Sequence, residues 1–239
     1  FDALHHGPPQ SATPDWAFLD FYQQAGFSET DAAALLPLIQ VEHFRPQTVA
    51  GFIRLNQGSE LIIGHRRWQV VVGSGHSPEH ACLYAAHDRL LISGDQVLPR
   101  ITSTVAVHVT EPQANPLRDW LDSIERLRVI PDSVLVLPAH ERPFFNLHAR
   151  LDQLRDHHAG HLQQLLDACE TPRTALEMMA VLFKKRAGRF DDLMAVGETL
   201  AHANYLMARG TLVREAQGGL LRYQRTRTGL TPFNPLELC

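Results

Sequence analysis

Residues 70–95, VVVGSGHSPEHACLYAAHDRLLISGD, decide how the chain is read. Val70, Val71 and Val72 are a β-branched run of the kind that fits a pleated strand. Gly73-Ser74-Gly75 ends it, and His76 stands just past the break. His80 to Ala86 reads as a second strand, His87-Asp88-Arg89 as a turn, and Leu90-Leu91-Ile92 as a third strand running into Ser93-Gly94-Asp95. A His and an Asp at the ends of buried strands, each beside glycine, have their polar heads exposed on a rigid support. Val134 to Leu137 repeats the arrangement and delivers Pro138-Ala139-His140. Three strand ends therefore present His76, Asp95 and His140.

Neutral imidazole and carboxylate are ligands shared by Zn, Mn and Fe ions. Three such groups at converging strand ends leave coordination positions open for water. Water on a divalent ion has a lowered pKa and becomes a nucleophile near neutral pH. An Asp between two ions would clamp them close together.

Upstream, Leu61 to Gly64 and Trp68 to Val72 read as a hairpin leading into the opening stretch. Asp15 is the expected N-cap of a short helix ending near Gly26. Ser28-Glu29-Thr30-Asp31 has capping-box form and opens a helix expected to reach about His43, with Pro37 disturbing it. This helical pair is read as scaffold. His5-His6 is read as part of a terminal loop.

Downstream, residues 96–103 form a loop carrying Arg100. Val105 to Val109 is read as a weak strand containing His108. Asn115 caps a helix with Pro116 in its first turn and Leu117, Leu121, Ile124 and Leu127 at helical spacing. A long helix spans Asn146 to Cys169. His157 and His161 are four apart on it, a chelating spacing, but the intervening stretch offers no third ligand and they are read as solvated histidines. Helices over 172–183 and 191–209 and a hairpin turning at Gly218-Gly219 follow. Helix, helix, hairpin is a winged-helix pattern. The expected division is 1–169, a winged-helix-like unit over 170–226, and a tail over 227–239.

Hydrophobic residues make up 44% of the 239, enough for an ordinary core, and the net charge is -4. That balance carries no electrostatic footprint for nucleic acid. Helix 191–209 bears Asp191, Asp192 and Glu198, so a packing or homodimer role is expected for the C-terminal unit. The three cysteines, Cys82, Cys169 and Cys239, are sparse and unclustered, which points to a reducing, cytoplasmic setting. No apolar run approaches the ~18 residues of a membrane span. FDALHHGPPQ lacks the charged and apolar regions of a signal peptide.

GHSPEH at 75–80, SGDQVLP at 93–99 and LPAHERPF at 137–144 resemble the later motifs of metallo-β-lactamase-fold hydrolases, and of members with a C-terminal winged-helix-like extension. The resemblance covers about 61–226. It implies an α/β fold of the αββα sandwich type. It further implies two divalent ions, zinc foremost, with His76 a ligand of one, His140 of the other, and Asp95 bridging both. His80 matches a supporting position beside the first His. The implied activity is hydrolysis of a small ester, thioester or lactone by metal-bound hydroxide. Arg100 and Arg142, beside the Asp95 and His140 loops, are the expected anchors for an anionic group of a small-molecule substrate. Phosphodiester or RNA hydrolysis, and a non-catalytic binding role on the same fold, are the alternatives. The family's first motif, His-x-His-x-Asp-His, has no counterpart here. The remaining ligands and the first sheet are therefore expected on residues upstream of Phe1 or on another chain.

Overall fold

A computed structural model describes residues 14–39, 53–184 and 188–226. His5-His6, the expected end of the second helix near His43, and residues 227–239 lie outside these. The described chain holds a five-stranded sheet ordered β1 (Glu60–Ile63), β2 (Arg66–Gly73), β3 (His80–Ala85), β4 (Leu90–Gly94), β5 (Leu135–Pro138). The first four strands follow one another through short connections and pair antiparallel. β5 pairs parallel with β4, which demands a crossover.

Helix α1 (Asp15–Gln24) follows Pro14, which occupies the N-cap position expected for Asp15. Helix α2 (Glu29–Ile39) starts at Ser28, whose hydroxyl accepts from the Asp31 amide at 3.1 Å. The β4–β5 crossover is helix α3 (Pro116–Arg126), whose N-cap Asn115 accepts from the Arg118 amide at 3.3 Å. Leu117, Trp120, Leu121 and Ile124 recur at three- and four-residue intervals and are all buried. Helix α4 (Leu147–Ala168) buries Leu151, Leu154, Leu162 and Leu165 in the same way. Both helices share one core with Val71, Cys82, Leu91 and Val136 from one face of the sheet. On the other face a row runs across four strands, Val70 opposite Leu83, Leu83 opposite Ile92, and Ile92 opposite Leu137. Leu83, Ile92 and Leu137 there are only half-buried.

The C-terminal part contains α5 (Ala175–Leu182), α6 (Arg189–Ala208) and a hairpin of β6 (Leu212–Gln217) and β7 (Leu220–Arg225). Its turn uses Gly218 and Gly219, both at positive φ, as a two-residue hairpin connection requires. Thr174 and Glu177 form a reciprocal capping box at the start of α5. Helix α6 is buried at every position from Ala195 to Leu206. The α1–α2 pair packs against this part. The Leu176 amide donates to the Ala25 carbonyl at 2.9 Å, and Arg189 pairs with Asp31 at 3.2 Å.

Residues 105–109 are not a strand. They run extended over α6, with Val105 and Val107 buried and the Val107 amide donating to the Gly197 carbonyl at 3.0 Å. Alternating apolar residues bury one side of any extended segment, whether its neighbour is a strand or a helix. Gly197 permits the approach, because a Cβ there would sit 3.0 Å from Ala106 Cβ. Cys82 and Cys169 are free thiols in the interior. Among the described residues no helix is long and apolar enough to cross a membrane.

Candidate metal centre

The turn after β2 is locked against α3. The Ser74 amide donates to Ser123 Oγ at 2.8 Å. Gly75 has φ of 96°, and a side chain there would overlap the Trp120 backbone. His76 projects from this turn. Its Nδ1 lies 2.8 Å from the Thr104 carbonyl. A carbonyl only accepts, so Nδ1 carries the hydrogen and Nε2 is left with its lone pair, 3.8 Å from Asp95 Oδ2.

Asp95 follows Gly94, which has φ of 53° and leaves room only for hydrogen beneath the His80 ring. The loop after Asp95 is tied down at several points. The Ser93 hydroxyl donates to the Val97 carbonyl at 2.8 Å, and the Ser103 hydroxyl donates to the Asp95 carbonyl. The Gln96 side-chain amide donates to the Ser74 carbonyl at 3.2 Å, joining this loop to the His76 turn.

His140 leaves β5 beside the same loop, where the Ala139 amide donates to the Gly94 carbonyl at 3.0 Å. Its Nε2 lies 3.2 Å from Asp95 Oδ1. The two oxygens of one carboxylate thus face two different imidazoles. The side chains of His76 and Asp95 are 29% and 30% exposed, and that of His140 is 63% exposed. The next residue, Glu141, is held at φ of 67°, a conformation unusual for a residue with a side chain.

This donor set fits divalent ions. One histidine is fixed in the tautomer that frees Nε2, and one carboxylate can serve two neighbours. His80 meets His76 edge to face. The ring centroids are 6.2 Å apart, and His80 Nε2–H donates to the Ser93 carbonyl at 3.1 Å. It thus bonds the turn that carries Asp95 while packing beside His76. Desolvation by burial lowers the His80 pKa, so the ring is neutral at neutral pH. Arg100 and Arg142 line a common surface cleft with Pro99, Glu141, Pro143 and Phe144.

Residues 14–140 match the family model for the metallo-beta-lactamase superfamily. The chain belongs to the metallo-beta-lactamase superfamily. Residues 162–226 match the model for the metallo-beta-lactamase-like, C-terminal domain. The chain is 40% identical to a beta-lactamase domain protein from Burkholderia ambifaria, with a TM-score of 0.80 over 86% of this chain and 60% of that one. It is 26% identical to a metallo-beta-lactamase family protein from Thermus thermophilus, with a TM-score of 0.65 over 90% of this chain and 70% of that one. The chain therefore spans about 60% of the length of the Burkholderia protein.

Two contributors to this candidate site carry no motif. Thr104 acts through its carbonyl, which any residue possesses. Arg150, on α4, donates from Nε to the Leu98 carbonyl at 2.7 Å and from Nη2 to the Ile101 carbonyl at 2.8 Å. It pins the loop that follows Asp95, from a helix whose sequence pattern reports only its apolar stripe.

Proposed function

We propose that the chain supplies His76, Asp95 and His140 to a divalent-metal centre of a hydrolase acting on a small ester, thioester or lactone. The observation that carries this reading is the Asp95 carboxylate, with one oxygen toward His76 Nε2 and the other toward His140 Nε2. Zinc matches imidazole and carboxylate best; manganese and iron share these ligands. When bound, such ions polarise a carbonyl and lower the pKa of water. Thr104 holds the His76 ring in its metal-ready tautomer, and Asp95 supplies the negative charge that offsets the ions. Arg100 and Arg142 hold an anionic group of the substrate in the cleft between their loops.

The test uses Asp95→Asn, which keeps the size of the side chain and removes its charge. Zinc affinity by equilibrium dialysis is expected to fall at least tenfold, as is turnover on a panel of aryl esters, acyl thioesters and lactones. Turnover within twofold of the unsubstituted chain would end the proposal. Activity confined to phosphodiesters would keep the centre and change the substrate class.

A further inference from the structure

A second cluster of metal-binding side chains lies beyond Trp120, whose backbone abuts Gly75 and whose indole packs 4.8 Å from the His158 ring. Helix α4 contributes His157, His158 and His161, and α6 contributes Glu198 and His202. They form two overlapping triads that share Glu198. These are His157, His161 and Glu198, and His158, Glu198 and His202. In each triad the donor atoms lie within 4.8 Å of one another. The inner triad is buried, with His158 and His202 at 0% exposure and Glu198 at 8%.

The proton accounting at the inner triad is incomplete without a further group. His202 Nδ1 lies 2.8 Å from the Glu198 backbone carbonyl, so Nδ1 carries the hydrogen and Nε2 is bare. His158 Nδ1 lies 3.0 Å from that Nε2, so without an ion it must donate. That leaves His158 Nε2 as a buried lone pair with no partner. Glu198 Oε1 and His161 Nδ1 are buried and unpartnered as well. Among the described residues Glu198 has no ion-pair partner, and burial pushes its carboxyl up to about 7. Two orphaned ring nitrogens and the carboxylate's own unpartnered Oε1 are costly, because each has given up water for nothing.

A cation held by His158 Nδ1, His202 Nε2 and Glu198 would neutralise the buried carboxylate and give its bare oxygen a partner. Tetrahedral zinc with Zn–N of about 2.0–2.1 Å sets its ligand nitrogens about 3.3 Å apart. The observed 3.0 Å between His158 Nδ1 and His202 Nε2 is close to that spacing. The hydrogen bond from His202 Nδ1 to a backbone carbonyl is the outer contact that orients a ligating imidazole. We propose that His158, Glu198 and His202 form a metal site for a zinc-type divalent ion, separate from Asp95, with His157 and His161 as its outer, solvent-facing pair. On binding, the His158 proton moves from Nδ1 to Nε2, and any proton on Glu198 is released. His157 is exposed and His161 half-buried, so the outer triad gives the ion a route from solvent to the interior.

The test removes the Asp95 centre first. In the chain carrying Asp95→Asn and His140→Ala, titration calorimetry is expected to find one Zn²⁺ still bound. Co²⁺ in its place should give the intense visible bands of four-coordinate N/O ligation. Adding Glu198→Gln, an isosteric change, should lower Zn²⁺ affinity at least tenfold. Long-range ¹H–¹⁵N spectra of the chain with Glu198 intact read the same site without touching its fold. His158 Nδ1 and His202 Nε2 should be the metallated nitrogens. Loss of all Zn²⁺ binding in the Asp95→Asn, His140→Ala chain, affinity within twofold after Glu198→Gln, or metallation elsewhere would each overturn the proposal. None of these readouts depends on whether the Asp95 centre performs hydrolysis.

Discussion

Gly94→Ala is the sharpest probe of how Asp95 is positioned. Gly94 sits at φ of 53°, where a side chain costs about 1 kcal/mol. A Cβ built there would lie 2.8 Å from His80 Cε1 and nearer still to Nε2. The ring must move, which breaks its 3.1 Å bond to the Ser93 carbonyl, worth about 1 kcal/mol. Overpacking beside a strand adds about 1 kcal/mol more. The substitution should therefore cost about 3 kcal/mol. His80→Ala alone should cost about 1–2 kcal/mol, by losing the same bond and its packing. With both changes the overlap disappears, and only the backbone term is added to the His80 loss. The double variant should be more stable than the sum of the singles predicts by about 2 kcal/mol. Urea midpoints at constant m measure all three. Zinc affinity is a second readout, falling in Gly94→Ala and recovering when His80→Ala is added. If the two costs add within about 0.5 kcal/mol, Gly94 answers to its φ alone and His80 does not support the Asp95 turn.

Three further outcomes are expected. Arg150→Met removes two charged hydrogen bonds to the loop at Leu98 and Ile101, and should cost about 1–2 kcal/mol and speed amide exchange there, measured by hydrogen-exchange mass spectrometry. Thr174→Ala breaks the capping box of α5 and should cost about 1 kcal/mol by urea denaturation, with Thr174→Ser restoring most of it. Acid should destabilise the α4–α6 interface. Burial lowers His161 to about 4 and His202 to about 3, and pushes His158 well down, so below about 6.5 the unfolded chain takes up protons that the folded chain refuses. Glu198, raised to about 7, opposes this by holding its proton in the folded chain between about 4.5 and 7. His157, exposed and near Arg150, adds a smaller contribution of the same sign as the other histidines. Three buried or half-buried histidines outweigh one carboxyl. With chelator present, stability should fall by an order of 2 kcal/mol from pH 6.5 to 4.5. His161→Gln should flatten that slope; an unchanged slope would refute the assignment.

Where local pattern and tertiary role coincide, the fold is legible in sequence. Val70 to Val72 alternate faces of a strand, and Gly73-Ser74-Gly75 ends that strand where a Cβ would collide with α3. Asn115-Pro116 starts α3 because an amide acceptor and a fixed φ suit a first turn wherever the helix lies. Ser93-Gly94-Asp95 is readable for the same reason, since the positive φ needs glycine regardless of what surrounds it. Val105 to Val109 is misread because burial alternates along any extended segment. Only the position of Gly197, far along the chain, makes its neighbour a helix. Arg150 is invisible for a related reason. An arginine on an otherwise ordinary amphipathic helix has no local mark that its guanidinium is spent on two carbonyls of a distant loop.

The histidines of α4 show the same limit from the chemical side. A search along one helix finds His157 and His161 and no third ligand, because i,i+4 spacing places only two donors on one side of a turn. An interhelical site takes a pair from each helix, and the second pair here is Glu198 and His202 on α6. The usable signal lies in α6 itself. Between Ala195 and Leu206 the chain is otherwise dominated by Ala, Leu and Val, and the helix is buried throughout that span. A glutamate in such a run is tolerated only with a partner of opposite charge or a shared proton. No lysine or arginine lies within a helical turn of it in sequence. One partner, His202, lies a turn further along α6, and the others come from α4, which carries three histidines within five positions. Glu198 marks the site as clearly as the histidines do, since burial gives its carboxyl no partner of opposite charge and pushes its pKa up to about 7.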